Sequence, residues 1–233
     1  MRLPALYPIL DFSCFAGRPD PLAAMLDFAE QLVAAGVGIL QYRDKSSGPR
    51  IFLRHAGELR RITLGRATFI VNDRLDLALL CDADGVHLGQ DDLSPVAARR
   101  ILDAIAARRA EDMGHDVRSP DHPITRSPDA PHLIGFSTHT LAQVREADAW
   151  PVDYIAVGPV FATASKANPD PVIGLEGVRQ ARAATTKPLV AIGGITRENC
   201  LQVKAAGADS VAVISDLLES PAKAVAAFLR VLG

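Results

Sequence analysis

Short apolar runs alternate along the chain with longer segments in which apolar residues recur at three- and four-residue steps. Most of the runs are continuous rather than alternating, which is typical of strands that are covered on both faces. Eight runs predict strands at residues 6–10, 39–42, 69–71, 85–88, 133–136, 154–157, 189–192 and 210–214. Strands that alternate with helical segments predict βα units and a parallel sheet.

The segments between the runs predict helices that each bury one face. In the first helix the apolar stripe consists of Leu22, Met25, Ala29, Leu32 and Val33. In the fourth helix we expect the buried stripe to consist of Ala97, Ile101, Ala104 and Ile105. Eight βα units within 233 residues predict an α/β fold, a (β/α)8 TIM barrel that forms a single domain over residues 1–233. A doubly wound open sheet is the alternative, because one sequence does not reveal strand order.

Residues 110–131 depart from this alternation. They include four prolines, four aspartates and almost no bulky apolar residues. Such a composition cannot bury enough surface to offset the entropy of ordering, so we expect a disordered or mobile Pro/Asp-rich insertion between helix 4 and strand 5. In a barrel this connection enters the end opposite the active site.

Composition and charge narrow the class of protein. Lys and Arg number 25 against 27 Asp and Glu, and a net charge of −2 argues against a nucleic-acid partner. No apolar run reaches 18 residues, so we expect no membrane partner. Cys14, Cys81 and Cys200 are odd in number and far apart, which favours a reducing, cytoplasmic location over a disulfide framework. The sequence leaves open whether copies of the chain form a homo-oligomer.

Charged and amide side chains follow the second, third and fourth predicted strands. The second is followed by Arg43 and Lys45, two cations at a place where a barrel can hold an anion. Asp73 follows the third strand and Asp92 the fourth. Carboxylates on adjacent strand ends suit Mg²⁺, which takes one or two protein carboxylates and leaves other positions for water and phosphate oxygens. Capping of the next helix is the alternative role for both aspartates.

Phosphate-binding features follow the later strands. Ser137 and His139 lie at the end of the fifth, and a long loop after the sixth carries Thr163, Ser165 and Lys166. The seventh is followed by Gly193 and Gly194 and the eighth by Ile214 and Ser215. Glycines let backbone amides approach an anion, and barrels frequently bind phosphate after strands 7 and 8. Together the strand ends predict a monophosphate site on one side and a Mg²⁺-assisted diphosphate site on the other.

Five segments carry a resemblance to a known family. They are residues 41–45 (QYRDK), 71–74 (VNDR), 85–92 (GVHLGQDD), 158–166 (GPVFATASK) and 191–195 (AIGGI). Their content and order resemble the signature blocks of the thiamine-phosphate synthase family. The resemblance implies the barrel fold and a Mg²⁺-dependent transferase. That enzyme joins a hydroxymethylpyrimidine diphosphate to a thiazole monophosphate, releasing pyrophosphate and forming thiamine phosphate.

The resemblance also implies roles for individual residues. The pyrimidine diphosphate would contact Gln41, Arg43, Lys45, Asn72 and Lys166, and Mg²⁺ would be held by Asp73 and Asp92. Ser137 would lie beside the pyrimidine and its leaving group. The thiazole phosphate would contact Thr163, Ser165, Gly194, Ile214 and Ser215. Two alternatives remain: a thiazole tautomerase, for which His139 is the candidate acid–base residue, and a non-catalytic phosphate-binding barrel.

Overall fold

The computed structural model describes residues 2–112, 132–163 and 170–233. All eight predicted strands are present. They are β1 (Leu6–Asp11), β2 (Ile39–Arg43), β3 (Thr68–Asn72), β4 (Gly85–Leu88), β5 (Leu133–Thr138), β6 (Tyr154–Val157), β7 (Leu189–Ile192) and β8 (Ser210–Val213). Each pairs in parallel with the next, and β8 pairs with β1, which closes the barrel. The predicted (β/α)8 barrel is therefore confirmed, and the open sheet is wrong.

Helices surround the barrel and connect its strands. They are α1 (Pro21–Ala34), α2 (Pro49–Thr63), α3 (Leu75–Leu80), α4 (Pro95–Asp112), α5 (Leu141–Asp148), α6 (Gly174–Ala184), α7 (Cys200–Ala205) and α8 (Pro221–Leu232). Short 3₁₀ helices at Phe12–Phe15 and Ser215–Leu217 follow β1 and β8. In the described part of the chain no helix is long and apolar enough to span a membrane. The cysteines are free thiols, with Cys14 exposed and the other two buried.

The predicted buried face is correct for α1 and wrong for α4. The predicted stripe of α1 is turned inward, with Met25, Ala29, Leu32 and Val33 all buried. The predicted stripe of α4 is wrong, because Ala98 and Leu102 face the sheet while Ile101 is 41% exposed. Alanines occur on several sides of α4, so apolar spacing alone does not define its inner face, and the bulkier Leu102 sets it.

Most of the predicted insertion lies outside the described residues. Its first residues are helical, since α4 continues to Asp112, and residues 113–131 lie outside the described residues. The mobile insertion therefore stays a prediction, as does the assignment of residues 1–233 to a single domain.

Apolar side chains fill the inside of the barrel as well as the space between the sheet and the helices. The inner cluster consists of Leu3, Tyr7, Ile9, Ile39, Ile70, Tyr154, Ala156, Val190 and Ala212. The rings of Tyr7 and Tyr154 meet edge to face, with centroids 5.8 Å apart. Gly135 on β5 pairs with Tyr154 on β6, and a Cβ atom at Gly135 would overlap the Tyr154 ring. Glycine at this position therefore provides the space for one of the two tyrosine rings of the interior.

Three aspartates join strands and helices at the amino-terminal end of the barrel. Asp84, Asp153 and Asp209 each stand one residue before an even-numbered strand. Each carboxylate accepts a hydrogen bond of 2.7–2.8 Å from a backbone N–H near the start of the preceding strand. Each also binds an arginine from the helix before that strand, and these arginines are Arg60, Arg99 and Arg182. These contacts fix the end of the barrel remote from the strand tips where polar residues gather.

Substitution Gly135→Ala should destabilise the barrel, because the new methyl group overlaps the Tyr154 ring. We expect the free energy of unfolding to fall by about 1–3 kcal/mol, the usual cost of overpacking. Urea denaturation measures this value. Gly57→Ala is the matched control, since Gly57 lies in α2 with no atom within 4 Å of an added Cβ. It should raise the free energy of unfolding by about 0.5–1 kcal/mol, and equal effects of the two substitutions would contradict the packing argument.

Candidate functional site

A cavity opens at the carboxyl-terminal ends of the strands and contains about 910 Å³ of empty space, part of it open to solvent. Most of the predicted site residues line it. They are Gln41, Arg43, Asn72, Ser137, Thr163, Gly193, Gly194, Ile214 and Ser215. They come from six of the eight strands or the loops that follow them, which is how a closed barrel brings distant sequence positions together. Ser165 and Lys166 lie outside the described residues.

The two predicted metal ligands converge beside this cavity. Asp73 directly follows β3, and its Oδ2 lies 3.2 Å from the Lys45 Nζ. Burial raises the pKa of the Asp92 carboxyl, and Asp73, which lies within hydrogen-bonding reach, raises it further. Asp91, the neighbour of Asp92, is exposed instead. No group of three or more His, Cys, Asp or Glu suited to a metal occurs among the described residues, so the feature is a carboxylate pair.

Helix capping does not account for these aspartates. The first turn of α4 is capped by Ser94, whose Oγ accepts from the Ala97 N–H at 3.3 Å. The Asp92 carboxylate accepts instead from the Gly89 N–H at 2.7 Å, within its own loop. Asp73 has a φ of 65°, in the left-handed region where a residue other than glycine is uncommon. The helix after Asp73, α3, has no side-chain cap, so neither aspartate caps a helix.

Asp11 is a mouth residue that the sequence analysis missed. It ends β1, is 4% exposed, and forms an ion pair with Arg43. Its Oδ1 also accepts from the Ser13 N–H at 3.0 Å. Asp11 therefore anchors the Arg43 side chain at the cavity wall. The signal was available, since an acidic residue follows an apolar strand here as it does at Asp73.

The loop after β7 forms the opposite wall of the cavity. Gly193 and Gly194 have φ values of 101° and 63°. The Phe161 N–H, in the loop after β6, donates to the Gly193 carbonyl at 3.0 Å. A Cβ at Gly194 would lie 2.5 Å from the Ala162 carbonyl oxygen. Both backbone conformation and close approach therefore require glycine here.

His139 lines the same cavity, at the end of β5. Its Nδ1 lies 2.7 Å from the Gly158 carbonyl oxygen and 3.4 Å from Asp170 Oδ2. Because a carbonyl oxygen only accepts, Nδ1 carries a proton and donates it. The ring is thereby held against the loop after β6.

A chain of four hydrogen bonds, three of them buried, crosses the barrel at the base of the cavity. It links Gln41 to Tyr7, Tyr7 to Tyr154, Tyr154 to His87, and His87 to Ser137. His87 is a packed interior residue, 7% exposed, with both ring nitrogens hydrogen-bonded. Tyr7 and Tyr154 were not predicted to have any part in the site, because their partners lie 147 and 67 residues away in sequence.

Fold and site together define a (β/α)8-barrel protein whose mouth combines a carboxylate pair, an anchored arginine and a glycine turn. The family pattern described as thiamine monophosphate synthase matches residues 13–109 and 121–217. A thiamine-phosphate synthase from Koribacter versatilis is 47% identical over 232 residues, which cover 100% of this chain and 97% of that protein. A thiamine-phosphate synthase from Methanoregula boonei is 41% identical over 222 residues, which cover 95% of this chain and 88% of that protein.

A solved structure agrees with these sequence matches. Thiamine phosphate pyrophosphorylase from Pyrococcus furiosus superimposes with a TM-score of 0.76 at 27% identity, covering 98% of this chain and 95% of that one. The chain belongs to the thiamine-phosphate synthase family, and the predicted resemblance is confirmed.

Substitution Gly194→Ala should distort the wall of the cavity. It combines left-handed strain with a clash against the loop after β6, whereas Gly65→Ala carries the same kind of strain, at a φ of 69°, with open space around the new methyl group. We expect Gly65→Ala to cost about 1–2 kcal/mol of unfolding free energy. Gly194→Ala should cost about 1–3 kcal/mol more than Gly65→Ala. Urea denaturation compares them, and equal losses would mean that the loop contact contributes nothing.

Proposed function

We propose that this protein is a thiamine-phosphate synthase, a transferase that joins a hydroxymethylpyrimidine diphosphate to a thiazole monophosphate and releases pyrophosphate. The observation that carries the proposal is the convergence of Asp73 and Asp92 beside Lys45 at the cavity that Arg43 lines. A diphosphate carries more negative charge than one side chain can neutralise, and this corner supplies both cations and a place for a divalent metal. Full-length likeness to proteins named thiamine-phosphate synthase supports the same reaction.

The residues of this corner fit Mg²⁺. Their donors are hard carboxylate oxygens. Burial raises the Asp92 pKa and repulsion by Asp73 raises it further, and a bound cation would relieve that repulsion. In the proposed enzyme Asp73 and Asp92 hold Mg²⁺. When bound there, the ion supplies positive charge to the oxygens of the departing diphosphate.

The protein side chains bind and orient the pyrimidine diphosphate. Gln41 and Asn72 are buried in the cavity wall, with amide groups suited to an uncharged part of the substrate. Arg43 is held by Asp11, so its guanidinium is ordered before the diphosphate arrives. Such preorganised charge costs no rearrangement during the reaction. Lys45 and Lys166 complete the cationic set.

The loops on the other side of the cavity bind the thiazole monophosphate. Gly193 and Gly194 let the backbone approach an oxygen atom closely, and Thr163 and Ser215 provide hydroxyl groups. Ser165 and Ile214 complete this subsite. The bond from carbon to diphosphate breaks, the electron-rich aminopyrimidine stabilises the resulting cation, and the thiazole nitrogen then forms the new bond. The protein contributes alignment and charge stabilisation, with no covalent intermediate on a side chain.

The cytoplasmic location remains a prediction. The free state of all three cysteines agrees with a reducing compartment.

Mixing both substrates with Mg²⁺ should release pyrophosphate, and its rate tests the proposal. We expect Asp73→Ala and Lys166→Ala each to lower turnover at least tenfold, which is about 1.4 kcal/mol of activation free energy. Lys223→Ala, which removes an exposed charge from the first turn of α8, is the control and should retain wild-type turnover.

Absence of pyrophosphate release above background would refute the synthase. Thiazole isomerisation that survives EDTA would establish the tautomerase, and thiazole phosphate binding without turnover the non-catalytic barrel.

Mg²⁺ alone should raise the melting temperature of the wild-type protein, because it binds the folded carboxylate pair. The shift should disappear in Asp92→Asn and persist in Asp91→Asn, a matched pair of neighbouring aspartates of which Asp91 is exposed. Differential scanning fluorimetry measures both. An equal shift in the two variants would show that the metal binds elsewhere.

The same pair predicts an effect in the absence of metal. The raised pKa of Asp92 means that the folded protein binds more protons than the unfolded chain just above the usual carboxyl pKa. Wild-type stability therefore falls as pH rises through that window. Asp92→Asn removes this fall, so metal-free Asp92→Asn should melt above wild type at pH 7, and a lower melting temperature would contradict the charge argument.

A further inference from the structure

Five polar side chains from five strands form one continuous hydrogen-bond chain inside the barrel. Gln41 Nε2 lies 3.0 Å from the Tyr7 hydroxyl, which lies 2.7 Å from the Tyr154 hydroxyl. The Tyr154 oxygen lies 3.1 Å from His87 Nδ1, and His87 Nε2 lies 2.8 Å from Ser137 Oγ. Gln41, His87 and Ser137 line the cavity, while the two tyrosines are entirely buried.

The direction of this chain follows from the number of protons that each group can donate. The Gln41 amide nitrogen only donates, so Tyr7 accepts from it and has its own single proton left for Tyr154. Tyr154 in turn donates to His87 Nδ1. A His87 ring that accepts at Nδ1 and is neutral carries its proton on Nε2, and this proton is directed to Ser137 Oγ. The Ser137 hydroxyl proton then remains free to donate into the cavity.

Burial keeps both tyrosines in the protonated form. Loss of solvation raises the pKa of the Tyr7 and Tyr154 hydroxyls well above their usual value. They therefore act as neutral groups that each donate one hydrogen bond and accept another. A buried network in which every member is satisfied holds its side chains in one arrangement.

We propose that Tyr154 and His87 are positioning residues that hold Ser137 as a hydrogen-bond donor toward the pyrimidine diphosphate. The proposal rests on the synthase function proposed above and adds to it the direction in which Ser137 acts. A donor at this position stabilises negative charge on the departing diphosphate, or an acceptor atom of the pyrimidine. Tyr7 extends the same chain to Gln41, so that two residues on separate strands are held by one network.

Tyr154→Phe tests the proposal because it keeps the ring that fills the barrel and removes only the hydroxyl. Without that donor, His87 is no longer held with its proton on Nε2. We expect kcat to fall by about tenfold while KM for the pyrimidine diphosphate changes less than about twofold. The double variant His87→Ala/Tyr154→Phe should have a kcat within about twofold of that of His87→Ala alone, because Tyr154 acts through His87. An unchanged kcat in Tyr154→Phe, or a full further loss in the His87→Ala background, would overturn the proposal.

Tyr42→Phe is the matched control for loss of a buried tyrosine hydroxyl. Tyr42 is also fully buried, but its hydroxyl contacts His55 and Asp44 rather than the network. Tyr42→Phe should lower the melting temperature as Tyr154→Phe does, but its kcat should stay within about twofold of the wild-type value. If both tyrosine variants lower kcat equally, the effect of Tyr154 is one of general stability and the proposal fails.

Nitrogen-15 NMR of the histidine rings gives a readout that does not depend on activity. The His87 signals, assigned as those missing in His87→Ala, should show a protonated Nε2 and a bare Nδ1 in the wild-type protein. Tyr154→Phe should shift this tautomer balance. A proton on Nδ1 in wild type would mean that the chain runs the opposite way and would overturn the proposal. A protein without synthase activity that still shows the expected tautomer would refute the proposed function alone.

Discussion

The interior of a closed eight-stranded barrel has to be filled by side chains, and here two tyrosine rings fill much of it. The space that Gly135 leaves for Tyr154 puts a hydroxyl group at the centre of an otherwise apolar cluster. A buried hydroxyl without a partner is costly, so each tyrosine oxygen needs polar neighbours on the surrounding strands. Those neighbours are Gln41 and His87, and through them the filling of the barrel becomes connected to the cavity wall.

The two ends of the barrel differ in how their aspartates are arranged. At the amino-terminal end each aspartate faces an arginine and a backbone N–H, so its negative charge is compensated within the protein. At the mouth Asp73 faces Asp92, and one of them adopts a left-handed backbone conformation. The Lys45 ammonium, 3.2 Å from Asp73, offsets part of this negative charge, and a bound cation or a proton would offset more of it. The contrast separates the residues that maintain the barrel from those that give it chemistry.

Much of the architecture could be predicted from the sequence, because continuous apolar runs mark strands that are buried on both faces. The bounds of β4, β6 and β7 agree with the prediction residue by residue. The inner face of α4 could not be predicted, since alanines on several sides leave its orientation to packing. The convergence of Asp73 and Asp92 followed from their positions at adjacent strand tips. The tyrosine chain depends on which interior side chains meet across a closed barrel, and no local pattern contains that information. The roles proposed for Ser165 and Lys166 rest on the family resemblance.

Arg99 of α4 has a particular place among the three arginines that bind strand-leading aspartates. One of its guanidinium nitrogens donates to the His132 carbonyl at 3.1 Å and the other to Asp153 at 2.7 Å. This single side chain therefore ties the helix before residues 113–131 to the first residue after them and to the aspartate that precedes β6. Backbone pairing with β4 and β6 sets the register of β5, and the Arg99 contacts help to hold its first residues. Because Arg99 contacts residues on the far side of the connection, we expect β5 to keep its place when residues 113–131 are shortened or replaced, so that a tag or reporter could be attached there.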